Sequence, residues 1–289
     1  MASRDGGVDL HIHSTASDGS LSPREILAQA ASLGLCAVSI TDHDTVDGVR
    51  DALAHGIPEP LAFATGVEIS TVPPEPFNQD LTIHLLGYLF DADDPGLDEE
   101  LRVLKDARAN RNPRIIQKLN ELGLPISMEE VAEVAGDGQV GRPHMARVLV
   151  DKGLAPDTNA VFDRWLAKGR PAYVDKYRLS VQRAVEVIRA AGGVAVLAHP
   201  SSLNMDDSTL ASFVEALKDM GLAGLEAYYT GHTPAMVKKY RKLARRLSLV
   251  VTGGSDFHGA SKPAVSMGSG TGDLFVPFSV YEELVAAKP

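Results

Sequence analysis

Short apolar segments alternate with longer amphipathic segments along most of this chain. Seven apolar segments have the length and composition of buried β-strands: 8–14, 36–42, 61–70, 81–90, 193–200, 222–229 and 249–258. Most segments between them have helical periodicity, and several begin at Ser or Thr followed by Pro and end at Gly, as helix caps prefer. This alternation predicts an α/β fold with a parallel sheet. Seven strands, nearly all with a polar residue at the carboxyl end, predict a closed barrel with its site at that edge.

The fourth and fifth predicted strands are separated by roughly 100 residues that show helical patterns and no strand pattern. We predict that residues 95–171 form a helical subdomain inserted into a barrel made of residues 1–94 and 172–289. Pro113 lies within one of these helical patterns and predicts a kink or a new helix start, with Asn112 as its cap.

The composition is that of an ordinary globular protein, with 44% hydrophobic and 23% charged residues. No apolar run is long enough to span a bilayer, and no apolar signal-peptide core follows the first residues, so we expect a cytoplasmic protein without a membrane partner. The net charge of −10 argues against stable binding of duplex nucleic acid. No obligate protein partner is indicated.

Imidazole and carboxylate side chains recur where the predicted strands end. They are His11, His13 and Asp18 for the first strand, His43 for the second, Glu68 for the third, His84 for the fourth, His199 for the fifth, and Asp256 and His258 for the seventh. A barrel would bring these ends into one ring. Any one of these histidines could be a satisfied core residue, but buried polar groups without partners are costly, so the whole set predicts a metal centre.

The donor atoms of this set are nitrogen and oxygen, which suit Mn²⁺, Zn²⁺ or Fe²⁺. Nine ligands are too many for one ion, so we expect two or three divalent ions per chain, with Mn²⁺ favoured and Zn²⁺ or Fe²⁺ as alternatives. Two cations about 3.5–4 Å apart can activate a bridging hydroxide and hold phosphoryl oxygens during an in-line displacement. Glu68, in the middle of the ring, is the candidate for a carboxylate that contacts both ions.

The motifs HIHSTASDG, TDHDT, GVEIS, AHP and GGSDFHG together resemble the PHP (polymerase and histidinol phosphatase) superfamily. More narrowly, they are similar to its stand-alone metal-dependent phosphoesterases that act on nucleotides. The resemblance covers the whole chain and implies a distorted (β/α)₇ barrel with three metal sites. The implied ligands are His11, His13, Glu68 and Asp256 for the first metal, Glu68, His84 and His199 for the second, and Asp18, His43 and His258 for the third. Many relatives have histidine where Asp18 stands, and the aspartate weakens the argument for zinc.

Four residues of the insert are candidates for substrate binding. Arg142 and His144 flank a predicted helix start, where free backbone N–H groups attract anions. Arg108 and Arg111 are three residues apart and share a helix face. Arginine is suited to phosphate, and the resemblance supports the insert as a lid that holds the nucleotide. The alternative is that these arginines are solvated or paired with the acids of the insert.

Three residues are candidates for catalytic roles. Glu68 would bridge two metals, and Asp256 would bind the first of them. His232 follows the sixth predicted strand at the same edge and would contact substrate or donate a proton to the leaving group; an ordinary surface histidine is the alternative. We expect Asp42 and Asp44 to orient or cap neighbouring groups rather than bind metal.

The sequence therefore predicts a metal-dependent phosphoesterase that removes a phosphate from a small nucleotide, with a nucleoside 3′,5′-bisphosphate as the favoured substrate. A 5′–3′ exoribonuclease acting on short 5′-phosphorylated RNA is the first alternative, and a histidinol-phosphatase-like enzyme is the second. A C–N hydrolase is disfavoured because no predicted strand contains the lysine that such barrels often use. A non-catalytic PHP module is disfavoured because every ligand position is filled.

Overall fold

The computed structural model describes residues 6–78, 81–136 and 138–289. The strands in this part of the chain are β1 (Val8–Ile12), β2 (Ala37–Ile40), β3 (Ala62–Val72), β4 (Ile83–Tyr88), β5 (Leu179–Ser180), β6 (Val194–Leu197), β7 (Gly224–Tyr229) and β8 (Val250–Gly254). All seven predicted strands are confirmed. The additional strand, β5, has two residues and was not predicted, because so short a segment has no detectable alternation.

The α-helices connect these strands along the chain, and the last helix follows β8. They are α1 (Pro23–Ser32), α2 (Asp47–His55), α3 (Pro95–Glu121), α4 (Met128–Ala135), α5 (Arg142–Asp151), α6 (Thr158–Val161), α7 (Val181–Ala190), α8 (Asp207–Asp219), α9 (Pro234–Arg246) and α10 (Phe278–Ala286). No helix among the described residues is long and apolar enough to cross a membrane.

The strands form one sheet in the order β1-β2-β3-β4-β6-β7-β8, and β5 pairs with β3. The chain beyond β8 returns to β1, where the His13 N–H donates to Phe257 O at 2.9 Å and the Asp256 N–H donates to His11 O at 2.8 Å. Gly254 permits this approach, since a Cβ atom there would lie 2.3 Å from the His11 nitrogen. The predicted barrel is therefore confirmed in a nearly closed form, and the approach of its two ends brings the first and last motifs of the chain together.

The expectation of a wholly parallel sheet is wrong at β4, which runs antiparallel to both β3 and β6. No helix lies between β3 and β4 among the described residues, and a short connection joins antiparallel strands more readily than parallel ones. The reversal places the first residues of β4, rather than its last, at the carboxyl edge of its neighbours. His84 consequently pairs in register with Ser70, close to Glu68.

The long helix α3 contributes to two separate apolar cores. Its first half contributes Leu97, Leu101 and Leu104 to the main core of the barrel, whereas its second half, from Ile115 onward, belongs to a separate core that extends to Val174. The insert is thus anchored to the barrel by one continuous helix. The domain boundary at 95–171 stays a prediction.

Helix α3 continues through Pro113, so of the two predicted alternatives the new helix start is wrong, and the kink stays a prediction. Asn112 lies inside the helix rather than capping it, and its Nδ2 donates to Val140 O at 2.9 Å. Packing on both sides of Pro113 stabilises a helix that local sequence disfavours.

Candidate metal centre and phosphate cleft

The nine predicted metal ligands form one cluster at the carboxyl edge of the barrel.

The loop that carries Asp18 is held there by Asp42, a buried residue whose carboxylate accepts from the hydroxyls of Ser14 and Ser17, both at 2.6 Å. Asp42 therefore shapes the loop after β1, and none of its hydrogen bonds within the described residues reaches the ring of His13 or His43.

Glu68 lies at the middle of the cluster, and its two oxygens face different imidazoles. Oε2 lies 3.2 Å from His13 Nε2 and 3.0 Å from His43 Nδ1. Oε1 lies 2.8 Å from His84 Nδ1 and 3.0 Å from His199 Nε2. A carboxylate presented in this way can contact two ions at once, which is the arrangement predicted for Glu68.

Two aspartates flank this carboxylate. Asp256 Oδ1 lies 3.3 Å from His13 Nε2 and 3.6 Å from His11 Nε2. Asp18 Oδ1 lies 3.3 Å from His258 Nε2 and 3.6 Å from His13 Nδ1. His13 consequently has a carboxylate beside each of its ring nitrogens.

The cluster contains three groups of possible metal-binding atoms, and within each group the atoms lie within 4.8 Å of one another. They are His11 with His13 and Asp256, His43 with Glu68 and His84, and His13 with Asp18, His43 and His258. The grouping follows the implied three metal sites with four differences. His43 also joins Glu68 and His84, and His13 also joins Asp18. Glu68 is not grouped with His11, and His199 belongs to none of the three groups. The assignment of each ligand to one ion stays a prediction.

Several polar atoms at the centre of the cluster are buried without a hydrogen-bond partner in the described part of the chain. They are Nε2 of His11, both ring nitrogens of His13, Nδ1 of His43 and Oε2 of Glu68. Buried polar atoms without partners are costly, and a native protein rarely gathers so many in one place. Imidazole nitrogens and a carboxylate oxygen that converge without hydrogen bonds fit divalent cations, so these residues can hold metal.

The carboxylates are held in the ionised form that metal binding requires. Burial by itself would raise the pKa of Glu68, but the neighbouring His43 and His84 rings lower that pKa well below its usual range. The pKa of Asp18 is likewise well below its usual range, because His258 and His43 outweigh the effect of burial.

Glu226 of β7 adjoins the cluster and was not predicted from the sequence. Its Oε1 accepts from His11 Nδ1 at 2.9 Å, and its Oε2 accepts from the backbone N–H of His199 at 2.6 Å. The first of these bonds leaves His11 Nε2 free to face the cluster. A single acid within an otherwise apolar strand was the signal that could have identified it.

Tyr229 and Lys262 were also missed. The Tyr229 hydroxyl and the Lys262 ammonium donate to Asp256 Oδ2 at 3.1 and 2.8 Å, while Oδ1 of the same carboxylate faces the imidazoles. Tyr229 ends a predicted strand and Lys262 lies in an irregular segment, so neither showed a pattern that indicated this contact.

A cleft between the barrel and the insert opens directly beside the cluster. Asp18, His43 and His84 line it from the barrel side. Its cationic lining comes from the insert and the segment that follows it: Arg108, Arg111, Arg142, Lys176 and Arg178. Two aromatic rings, those of Phe162 and Tyr173, line it as well.

Three of the four predicted substrate-binding residues, Arg108, Arg111 and Arg142, lie in this cleft. Within the described part of the chain, neither Arg111 nor Arg142 pairs with a carboxylate: Arg111 donates to Asn112 Oδ1 at 2.9 Å, and Arg142 donates to Leu166 O at the same distance. Burial, together with the adjacent Arg108 and Arg142, lowers the pKa of Arg111 to about 9. The cleft therefore contains buried positive charge that is only partly neutralised.

The fourth predicted substrate-binding residue, His144, and the catalytic candidate His232 are engaged elsewhere. His144 lies in α5, does not line the cleft, and its Nδ1 accepts from the Gly141 N–H at 3.1 Å at the start of that helix. His232 Nδ1 donates to Ala227 O, and its Nε2 lies 2.9 Å from the Ser201 hydroxyl. Their proposed contacts with substrate stay predictions.

Comparison with known proteins agrees with this geometry. The sequence profile of the PHP domain matches residues 9–192. A 5′–3′ exoribonuclease from Haemophilus influenzae is 35% identical over 250 residues, which cover 86% of this chain and 89% of the relative. A 3′,5′-nucleoside bisphosphate phosphatase from Chromobacterium violaceum is 31% identical over 252 residues, which cover 87% of each chain.

A solved structure from Bifidobacterium adolescentis, described as that of a metal-dependent phosphoesterase, superimposes with a TM-score of 0.86 at 28% identity. The superposition covers 98% of this chain and 97% of the other. The fold, the cluster of ligands and these similarities agree with one another along nearly the whole chain. The chain therefore belongs to the PHP domain family, and it is a metal-dependent hydrolase of phosphoric esters.

Proposed function

We propose that this protein removes one phosphate from a small nucleotide, and that a nucleoside 3′,5′-bisphosphate is its preferred substrate. One observation carries the proposal: a cleft with partly neutralised positive charge shares its wall with the cluster of metal ligands. Asp18, His43 and His84 belong to both. A phosphate at the cluster and a second phosphate among the arginines would thus be held by one continuous site.

The cluster would hold two or three divalent ions, with Mn²⁺ favoured because the ligands combine imidazoles with several carboxylates and no thiolate. When bound, such ions act as Lewis acids toward phosphoryl oxygens and generate a nucleophile from water at neutral pH. Glu68, Asp18 and Asp256 supply the negative charge that holds the ions. Glu226 orients His11 for the same purpose.

The insert would act as the lid over the nucleotide. Arg111 and Arg142, which have no carboxylate partner among the described residues, would bind the phosphate that is not cleaved. Phe162 and Tyr173 supply aromatic surface in the same cleft, on which a base can stack. A cytoplasmic location is part of the proposal and rests on the sequence alone.

A 5′–3′ exoribonuclease is the second candidate, and the 35% identity to the Haemophilus influenzae enzyme of that name favours it. In that reaction the 5′-terminal phosphate of a short RNA would occupy the arginines while the first internal phosphodiester meets the metals. The two reactions place the same groups in the same cleft. They differ in whether the chain can continue past the first nucleotide.

The proposal is tested with metal-loaded protein on a nucleoside 3′,5′-bisphosphate, an aryl phosphate and 5′-phosphorylated oligoribonucleotides of one to four nucleotides. One charge-assisted hydrogen bond contributes about 1.5–3 kcal/mol, so Arg142→Ala should lower kcat/KM for the bisphosphate about ten- to a hundredfold. The aryl phosphate has no second phosphate and should be affected little. Arg147→Ala is the matched control, because Arg147 lies on the same helix, is exposed and pairs with Asp151.

Equal losses on the aryl phosphate and the bisphosphate would contradict the role of the lid. We expect the rate to fall steeply as the oligonucleotide lengthens. Undiminished cleavage of the tetranucleotide would instead favour the exoribonuclease reaction.

A further inference from the structure

We propose that Asp44 is a positioning residue that holds Arg108 and Lys176 in the cleft, and that Lys176 contacts the phosphate that is not cleaved. This inference rests on the proposed function. It adds one substrate-binding residue to the arginines of the insert. It also assigns a role to the Asp44 carboxylate, which belongs to none of the three groups of possible metal-binding atoms.

Asp44 is completely buried, and its carboxylate contacts two cations, Arg108 and Lys176. Its Oδ2 accepts from Arg108 at 2.6 Å and also from the ammonium of Lys176. Its Oδ1 accepts from the Ser70 N–H at 2.8 Å. A buried carboxylate is costly unless charges and hydrogen bonds compensate it, so these contacts are needed to keep it ionised in place.

The backbone of Asp44 is fixed to the barrel beside the metal cluster. The residue follows His43, its N–H donates to Glu68 O at 2.9 Å, and its φ of 56° is in the left-handed region that non-glycine residues seldom adopt. Such a conformation persists only when the surrounding contacts impose it, and it often marks a functional position. The Asp44 carboxylate is therefore a rigid point on the barrel.

The two cations reach this point from opposite ends of the insert. Arg108 comes from α3, where the chain enters the insert, and Lys176 lies on the segment that returns to β5. One carboxylate thus joins both connections of the insert to the barrel. Since two cations meet one anion, a positive charge remains at the cleft wall, where both residues are part of the lining.

Two other roles for Asp44 make different predictions. If Asp44 only stabilised the fold, removing its charge would lower stability without changing substrate preference. If its charge mainly repelled the substrate, its removal would strengthen binding of the bisphosphate. Positioning predicts weaker binding of the second phosphate and little change in reactions that lack that phosphate.

The test compares Asp44→Asn with Asp47→Asn. Asp47 is a matched control because its carboxylate also joins the segment after β2 to α3, through Lys105 at 2.6 Å, but this ion pair is exposed and does not line the cleft. Asp44→Asn should raise KM for the bisphosphate about tenfold, with a much smaller change in kcat and in turnover of an aryl phosphate. Metal content should stay at the wild-type value. Asp47→Asn should leave all of these quantities unchanged.

Lys176→Met provides a second and independent measurement. It should raise KM for the bisphosphate by a similar factor, and the double variant should be little worse than either single variant, because the two side chains act as one unit. Additive effects of the two substitutions would overturn the inference.

Three further results would also overturn it: an unchanged KM in both single variants, tighter binding of the bisphosphate by Asp44→Asn, or loss of metal from that variant. A wild-type enzyme with no preference for the bisphosphate over the aryl phosphate would overturn the proposed function as well. A wild-type preference that Asp44→Asn and Lys176→Met both retain would overturn only the present inference.

Discussion

Glu226→Gln is the substitution that tests most directly whether the barrel orients His11 for metal binding. The glutamate is buried, and each of its oxygens accepts one hydrogen bond, from His11 Nδ1 at 2.9 Å and from the His199 backbone N–H at 2.6 Å. Glutamine has nearly the same shape but carries no charge, and its terminal NH₂ group donates hydrogen bonds instead of accepting them. Either His11 Nδ1 or the His199 backbone N–H would therefore face this NH₂ group and lose its acceptor.

The expected loss follows from these two bonds. A hydrogen bond to a charged group contributes about 1.5–3 kcal/mol, and 1.4 kcal/mol corresponds to a factor of ten. Losing one such bond without gaining another should weaken metal binding about ten- to a hundredfold, the range usual for groups that orient a metal-binding histidine. The fold should persist, since the volume of the side chain is conserved.

Metal affinity is measured by calorimetric titration of Mn²⁺ into chelator-treated protein, and kcat/KM is then measured at saturating metal. Glu186→Gln is the control, because Glu186 is exposed on α7 and its carboxylate interacts with Gln182 and Arg183, which both lie outside the cluster. Activity of Glu226→Gln should recover in part at high metal concentration. An unchanged affinity for Mn²⁺ together with unchanged kcat/KM would refute the reasoning.

Three further substitutions test the cluster and the barrel. Glu68→Ala should abolish turnover and lower metal content by more than one equivalent while circular dichroism stays native, because one carboxylate contacts two groups of imidazoles; full metal loading with retained activity would rule out a bridging role. Asp18→Ala should lose about one ion while the ions near His11 remain, and an unchanged elemental analysis would show that Asp18 binds no metal. Gly254→Ala should lower the free energy of unfolding by about 1–3 kcal/mol, because the new Cβ would lie 2.3 Å from a backbone nitrogen of β1; an unshifted urea midpoint would contradict this.

The order and type of the elements could be predicted because hydrophobic periodicity is a local property. The seven predicted strands are present, and the helix start predicted between Arg142 and His144 agrees with α5, which begins at Arg142. The direction of β4 was not predictable in this way, since β4 is almost as buried as its parallel neighbours and lacks the alternation of a half-exposed antiparallel strand. The continuity of α3 through Pro113 was missed for a related reason: packing of residues on both sides outweighed a local preference.

The site was predictable to different degrees. Its histidines and acids stood out because they lie at the ends of apolar strands, where a core residue is expected. Lys176 and Lys262 did not stand out, because lysine in an irregular segment is most often a solvated surface residue. Their contacts with Asp44 and Asp256 depend on how distant segments pack.

The sequence by itself determined the alternation of strands and helices, the set of candidate ligands and the presence of a helical insert, since each of these is encoded by residues that are near neighbours along the chain. The tertiary structure alone decided which ligands meet. Antiparallel pairing of β4 places His84 beside Glu68, and barrel closure places Asp256 beside His11, although 245 positions separate the latter pair in the numbering. It also decided that Glu226 of β7 hydrogen-bonds to His11 and to the backbone of His199. Contacts between remote residues depend on strand direction and on closure of the sheet, and neither leaves a trace in local periodicity.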